Sequence, residues 1–555
     1  MNYKYIITWL MAWILPTLNI HAQFIINQKT PAFDKTTNTY LISIPKEAFG
    51  KDFETSIMLN NDSAWSNLKI DGEEISQNHY TFKEVSANKH FALTAQKNGK
   101  DIKTYITFTF LPVLNITGVF DYDYAIGSMD IQQPDETNLE NIKIKAKWRG
   151  GSTNTADKHK RNYKIKTLND KGKSKDYALL GMREDNNWIL DAGQIDLFRM
   201  RNRIATELWN DFSTKPYYAG KEPKAKTGVN GKVIEVILNN EYRGIYCLTE
   251  AMDRKELKLK KYDEDKQEIH GQLWKTSGYG YATFWDKPEK YDNESETWDT
   301  FETKYPDISD VFPTDYSLLW NAVNFVSQSD DITFSTEVAE YFDVPALIDY
   351  YIFLEVVNGI DNRGKNMYWA VFDKKQEKKL TPAIWDLDAT VGQNWTDNPL
   401  HPENVAANNQ LGIDVLNIYN RLIKLNVDNF NKKVEDRYNK LRQTYLDTNE
   451  LINRYYDYYQ MVSQSGAATR EENKWSYDTD IAGNKLNFQE EYAYIAEWLK
   501  ERMSFLDEKF NKTSTRIENI NSSSPKKDDN TYNLLGIKVI PTKGIYIKNG
   551  KKYIK

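Results

Sequence analysis

The chain has 555 residues, with 73 Lys and Arg against 79 Asp and Glu, giving a formal net charge of −6. At roughly 150 residues per domain it holds three or four folded units. A mildly acidic chain with both signs interspersed excludes a dedicated nucleic-acid binder, which carries a basic surplus or stripe. A hydrophobic content of 40% with 13% aromatics excludes a mostly disordered chain. The single cysteine, Cys247, excludes a disulfide framework and any multi-cysteine zinc or iron–sulfur site. The six histidines show no pairing at ligand spacing. The 36 Tyr and 15 Trp suit carbohydrate or base stacking as well as ordinary packing.

Residues 1–22 have the form of a signal peptide. Lys4 precedes an apolar run from Ile6 to Leu18, and small Ala22 stands before the expected cut. The run contains Pro16 and is shorter than the ~20 residues that span a bilayer, so no transmembrane anchor is expected. The mature protein is then exported, to the periplasm, the cell surface or the medium. Residues 23–112 alternate with period two, as in Tyr40-Leu-Ile-Ser-Ile and Thr104-Tyr-Ile-Thr-Phe-Thr-Phe, which predicts a small antiparallel, immunoglobulin-like β-sandwich.

From residue 113 to 512 the pattern predicts an α+β body, strand-rich to about 340 and helix-rich afterwards. Ile142 to Trp148 and Asn162 to Thr167 alternate as strands, residues 195–212 have helical spacing, and 232–249 form a hairpin turning at Asn239-Asn240. Lys258 to Lys261 suit a solvated helix face. Helices are expected at Pro345–Val357, about 411–446, 449–464 and 484–512. Residues 513–530 form a polar linker, and 531–555 read as two or three short strands with an Asn549-Gly550 turn.

The most informative stretch follows the helix ending at Val357. Asp361 and Asn366 enclose four residues, and after an apolar hairpin come Trp385-Asp386-Leu387-Asp388. A phosphotransferase uses such a set: one carboxylate orients the nucleophile's proton, while an Asn and a later Asp bind magnesium. Asn366, Asp386 and Asp388 offer the oxygen ligands that magnesium prefers. Two carboxylates two residues apart at a strand end repel one another without a cation. A calcium-binding turn or a plain solvated loop would use the same residues.

Six blocks in order carry a resemblance to the CotH kinases, secreted or surface atypical kinases related to spore-coat protein H. They are Trp148-Arg149-Gly150-Gly151-Ser152, Asn162-Tyr-Lys164-Ile-Lys166, Leu180 to Leu190, Tyr242 to Arg254, Asp361 to Tyr368, and Pro382 to Thr390. The resemblance implies an atypical two-lobed protein-kinase-like fold and an enzyme using ATP with Mg²⁺ or Mn²⁺ to phosphorylate hydroxyls of a secreted or surface protein. It implies Asp361 as catalytic base and Asn366 and Asp386 as metal ligands, with Asp388 as the alternative to Asp386. Arg149, Gly150, Gly151 and Ser152 sit at the family's phosphate-cradling turn, with Gly151 in place of the usual Asn. Lys166, or else Lys164 on the same strand face, would reach the nucleotide phosphates, and Glu250 would pair with that lysine.

Other readings of these residues stand beside this one. The two lysines also suit a solvated strand face, Glu250 and Arg254 an ordinary helical ion pair, and Trp148 and Trp188 a core. The tail resembles the C-terminal sorting segment of exported Bacteroidetes proteins. A catalytically weak surface protein binding a glycan or host ligand on a kinase-like scaffold is the rival function.

Overall fold

The computed structural model describes residues 24–60, 63–136, 138–151, 159–307, 314–393, 412–479 and 485–511, with the backbone of 531–533, 545–548 and 551–554. The leader expected at 1–22, Ser152 and the linker at 513–530 lie outside the described residues. Two compact units are distinguished. One comprises residues up to 117 with 129–141 and 236–242; the other comprises 118–128, 142–235 and the chain from 243 onward.

The first unit contains a three-stranded sheet of Phe24–Ile26, Phe53–Leu59 and His79–Phe82. Its six-stranded sheet runs Ala32–Asp34, Thr39–Ser43, Lys100–Thr109, Phe91–Lys97, Trp65–Ile70, Glu73–Glu74. Alternation decides which side chains face inward: Phe91, Leu93 and Ala95 are buried while the residues between them are not. Phe24, Ile57 and Phe82 from one sheet join Tyr40, Ile42, Leu93 and Phe108 from the other in a single core. The pairing differs from the antiparallel expectation at one place, where Thr39–Ser43 lies parallel to Lys100–Thr109.

Largely in the second unit, Leu139–Arg149 (β1), Asn162–Leu168 (β2), Asn187–Asp191 (β3) and the second arm of a hairpin pair successively as members of a closed seven-stranded barrel. That hairpin is Gly231–Leu238 (β4) and Glu241–Glu250 (β5). It turns at Asn239 and Asn240, both left-handed at φ 52° and 58°, as the tightest hairpin turn requires. A five-stranded sheet follows, in the order Thr297–Trp298, Phe301–Tyr305 (β7), Gln272–Thr276 (β6), Met367–Val371 (β8), Thr381–Ile384 (β9). Strands from both sides of the helices at 317–357 thus share one sheet, and a division into strands before residue 340 and helices after it is too simple.

Arg201–Phe212 (α1) falls within the segment of helical spacing at 195–212, while Ser317–Gln328 (α2) and Asp331–Tyr341 (α3) are helices beyond expectation that precede Val344–Val357 (α4). The segment 195–200 is not helical because the Asp196 carboxylate accepts from the Phe198 and Arg201 N–H groups and starts α1 six residues late. The chain at 258–261 is not helical either: Lys258 adopts φ 53° and ends a short helix at Leu257. The helix expected over 411–446 is two, Asn417–Leu425 (α5) and Phe430–Arg442 (α6). They are separated by left-handed Asn426, Asp428 and Asn429. Thr448–Gln464 (α7), Ala467–Lys474 (α8) and Phe488–Asn511 (α9) follow. In the tail, Thr531–Asn533, Ile545–Lys548 and Lys551–Ile554 pair antiparallel. Among the described residues no helix is long and apolar enough to cross a membrane.

A buried charge cluster fastens α8 to the barrel. The Glu471 carboxylate accepts from Lys160 Nζ at 2.7 Å, Arg199 Nε at 2.8 Å and the Ile245 N–H at 2.7 Å. All three side chains are fully buried. Burial lowers the Lys160 pKa to about 8 despite that carboxylate. Gly244 has φ 92°, and a Cβ there would stand 1.7 Å from Glu471 Oε2, so only glycine fits. Replacing Glu471 with Ala strands two buried cations. Denaturant unfolding should show a loss of about 3–5 kcal/mol; a loss below about 1 kcal/mol would contradict this role.

Candidate active site

A cleft of about 330 Å³ in the second unit is lined by Arg149, Gly150 and Gly151, by Asp191, Asn202 and Lys275, and by Asp361, Lys365, Trp385, Asp386 and Asp388. Helix α4 delivers the central loop. It opens with Pro345 in its first turn and stops at Asn358, whose left-handed backbone (φ 50°) caps it. The chain then makes a single 3₁₀ turn, Ile360–Asn362, which holds Asp361. Lys365 Nζ donates to both Asp361 oxygens, at 3.1 and 2.9 Å, and Asn366 Nδ2 donates to Oδ2 at 2.9 Å.

Asn366 is buried with φ 53°, and its N–H donates to the Thr276 carbonyl of β6. The register of β8 against β9 sets Met367 opposite Ile384, which brings Asn366 and Trp385-Asp386 level at one sheet end. Strand β9 ends at Ile384, so the two aspartates stand on the loop beyond it, with Asp386 left-handed at φ 59°. Two asparagines hold that loop. Asn362 Nδ2 donates to the Trp385 carbonyl at 2.6 Å. Asn202 of α1 accepts from the Leu387 N–H at 3.1 Å and donates to Asp191 at 2.9 Å.

The electrostatics follow from this crowding. Burial raises the Asp386 carboxyl above its ordinary range; Lys275 and Arg149 pull it down, while Asp191 and Asp361 push it up. Asp388 is raised further, first by burial and then by Asp386, Asp191, Asp196 and Asp361. Two carboxylates held this way are short of positive charge. Lys275 meets the opposite problem: burial lowers its pKa, and Asp386 is the first charge that opposes the loss. Burial also works against the Lys365 ammonium, but its bonds to Asp361 outweigh it and its pKa rises.

Asp361, Asp386, Asp388, Arg149, Gly150 and Gly151 therefore share one cleft, with Asn366 bonded to Asp361. Gly150 has φ 115°, a backbone conformation that favours glycine. The strand face that holds Lys164 and Lys166 adjoins the cleft, but the two separate along it. Lys164 is pushed down to about 8, first by burial, then by Lys166 and Arg149. The Lys166 ammonium lies 5.6 Å from the centre of the Tyr124 ring.

Glu250 is a correction. It pairs in register with Trp188, which pairs with Ile165, so it faces away from Lys164 and Lys166. Its oxygens accept from the Arg183 and Asn230 N–H groups at 3.0 Å. Nor does it share a helix with Arg254, since β5 ends at Glu250. Trp188 is fully buried, whereas Trp148 is half-buried beneath the Arg161 guanidinium at 4.3 Å.

The sequence reading missed Lys275, Asp191 and Asn202. Each lies far along the chain from Asp361, and only the sheet and barrel pairings bring them in. Lys365 carried a local signal, four residues after Asp361 within the same loop.

The donor set suits a hard divalent cation. With Asn366 Nδ2 given to Asp361, its Oδ1 remains for a metal beside the Asp386 and Asp388 oxygens. Among the described residues no three Asp, Glu, His or Cys side chains gather closely enough to hold an ion by themselves.

No curated protein matches the chain. The family model for "CotH kinase protein" matches residues 146–506, well over half of the chain and every residue of the cleft. The chain belongs to the CotH kinase protein family, a family of kinase-type phosphotransferases.

Proposed function

We propose that this protein transfers the γ-phosphoryl group of ATP to hydroxyl side chains of secreted or surface proteins, on a remote version of the two-lobed kinase fold. One observation carries the reading. Asp361, fixed by Lys365 and Asn366, stands in the same cation-lined cleft as two half-buried aspartates, Asp386 and Asp388.

Each residue has a role in that chemistry. Asp361 accepts or orients the proton of the incoming hydroxyl, and Lys365 and Asn366 keep its carboxylate in one orientation. Arg149, Lys275 and the N–H groups around Gly150 and Gly151 face the phosphates, and Lys164 lies within reach of the same edge. A divalent cation, Mg²⁺ or Mn²⁺, bound by Asp386, Asp388 and Asn366 would supply charge neutralisation for the transferring group. Asn202 and Asn362 fix the aspartate loop, so that little reorganisation is left for the moment of reaction. Export belongs to the same proposal and rests on the leader-like residues 1–22 and the sorting-like tail at 531–555.

Purified protein incubated with labelled ATP, Mg²⁺ or Mn²⁺ and varied acceptors should transfer label. Asp361→Ala and Asp386→Ala should each reduce transfer by about 10²–10⁴-fold. Transfer that survives both substitutions, or never appears, would sink the assignment in favour of a binding role. Mg-ATP at a hundredfold excess over Kd should also stabilise the fold by ~2.7 kcal/mol. In metal-free buffer the Asp388→Asn variant should be more stable than wild type in denaturant unfolding, because it removes a carboxylate whose charged form burial and Asp386 disfavour. Equal or lower stability would mean that the repulsion is absent.

A further inference from the structure

The barrel face beside the cleft carries more positive charge than a nucleotide there would use. Register sets Lys145 opposite Lys166, Lys147 opposite Lys164 and Arg149 opposite Asn162, so five cations share one face of two adjacent strands. Three of them crowd one ring: the ammonium groups of Lys145, Lys147 and Lys166 lie 5.3, 5.1 and 5.6 Å from the centre of Tyr124. The ring face attracts them, but their mutual repulsion remains. Among the described residues no carboxylate forms an ion pair with Lys145, Lys147, Lys164, Lys166 or Arg149. The Tyr124 hydroxyl is itself buried without a hydrogen-bond partner.

The group around Tyr124 is separate from the metal-binding end. The cations that act on Asp386 are Lys275 and Arg149. Lys145 lies four residues before Arg149 on β1, ~13 Å along the strand at ~3.3 Å per residue. Cations repeat along β1 at every second residue, ~6.6 Å apart, which is the spacing of alternate side chains in an extended peptide. A patch this short, in a chain of net charge −6, is no track for a long nucleic acid.

We propose that Lys145, Lys147 and Tyr124 dock an acidic segment of the acceptor protein, an extended run of Asp or Glu near the hydroxyl that receives the phosphoryl group. The proposal rests on the phosphotransfer reading above and adds the class of acceptor to it. Lys166, on the same ring, stands between this dock and the phosphate end.

Fluorescence anisotropy tests it with two labelled peptides of equal length, each holding one serine, one rich in Glu and the other in Gln. The protein should bind the Glu peptide at least about tenfold more tightly, and the preference should shrink between about 50 and 200 mM salt. The double variant Lys145→Glu/Lys147→Glu should lose the preference. In the transfer assay the same variant should raise the KM for the Glu peptide by about tenfold or more, with the KM for ATP held within about twofold. If the charge-reversed protein does not fold, Lys145→Gln/Lys147→Gln carries the same comparison.

Equal binding of the two peptides overturns the proposal. So does a rise in the KM for ATP instead of peptide, which would make these lysines part of the nucleotide site. Tighter capture of a labelled single-stranded oligonucleotide than of the Glu peptide would overturn it as well. A protein that transfers no phosphate, yet keeps a Glu preference that the variant abolishes, would retain the dock and lose the kinase reading.

Discussion

The gathering of Asp191, Asp361, Asp386 and Asp388 around one cleft, with Lys275 and Arg149 against them, is the constraint on which this structure turns. The Asp386 and Asp388 carboxylates are pushed up by burial, and Asp191 and Asp361 add to the pressure on each. A fold selected for stability alone would place apolar side chains there. Such crowding of like charge at a cleft is a mark of function, and the proposed cation would relieve it.

Much of the second unit can be understood as that holding structure. The β8–β9 register levels Asn366 with Asp386, Asn362 clamps the Trp385 carbonyl, and Asn202 ties Leu387 and Asp191 to α1. Further away, Glu471 secures α8 against Lys160, Arg199 and the backbone of Ile245, with Gly244 leaving room for it. Glu355 on α4 lies among Arg363, Arg502 and Lys509, so the helix that presents Asp361 is itself anchored by buried charge. These clusters are costly unless complete, and each therefore specifies a single arrangement of its elements.

Local signals were legible in the sequence, and contacts between distant segments were not. Pro345 and the apolar run after it marked α4, Asn239-Asn240 marked the hairpin, and Asp361, Asn366 and the paired aspartates marked the cleft. Lys275 and Asp191 were invisible, since nothing within a few residues of either sets them apart from any other strand residue. Glu250 misled because spacing cannot say which face of a strand meets a given neighbour, and here the register turns it toward Arg183 and Asn230. The break at Asn426 to Asn429 was hidden by helical spacing on both sides of it. Composition left stacking and ordinary packing both open, and Trp188, Trp209, Trp274, Trp369 and Trp475 are all fully buried. Much of the aromatic load is core.

The central claim is that Asp386 and Asp388 exist to hold a divalent cation together with nucleotide phosphates. Electron paramagnetic resonance of Mn²⁺ in the presence of a non-hydrolysable ATP analogue measures this directly. The account predicts bound Mn²⁺ in the wild-type protein and a loss of affinity of about tenfold to a hundredfold, or more, in Asp386→Asn and Asp388→Asn. Mn²⁺ binding that is unchanged in both variants, or absent from the wild type with the analogue present, would contradict it.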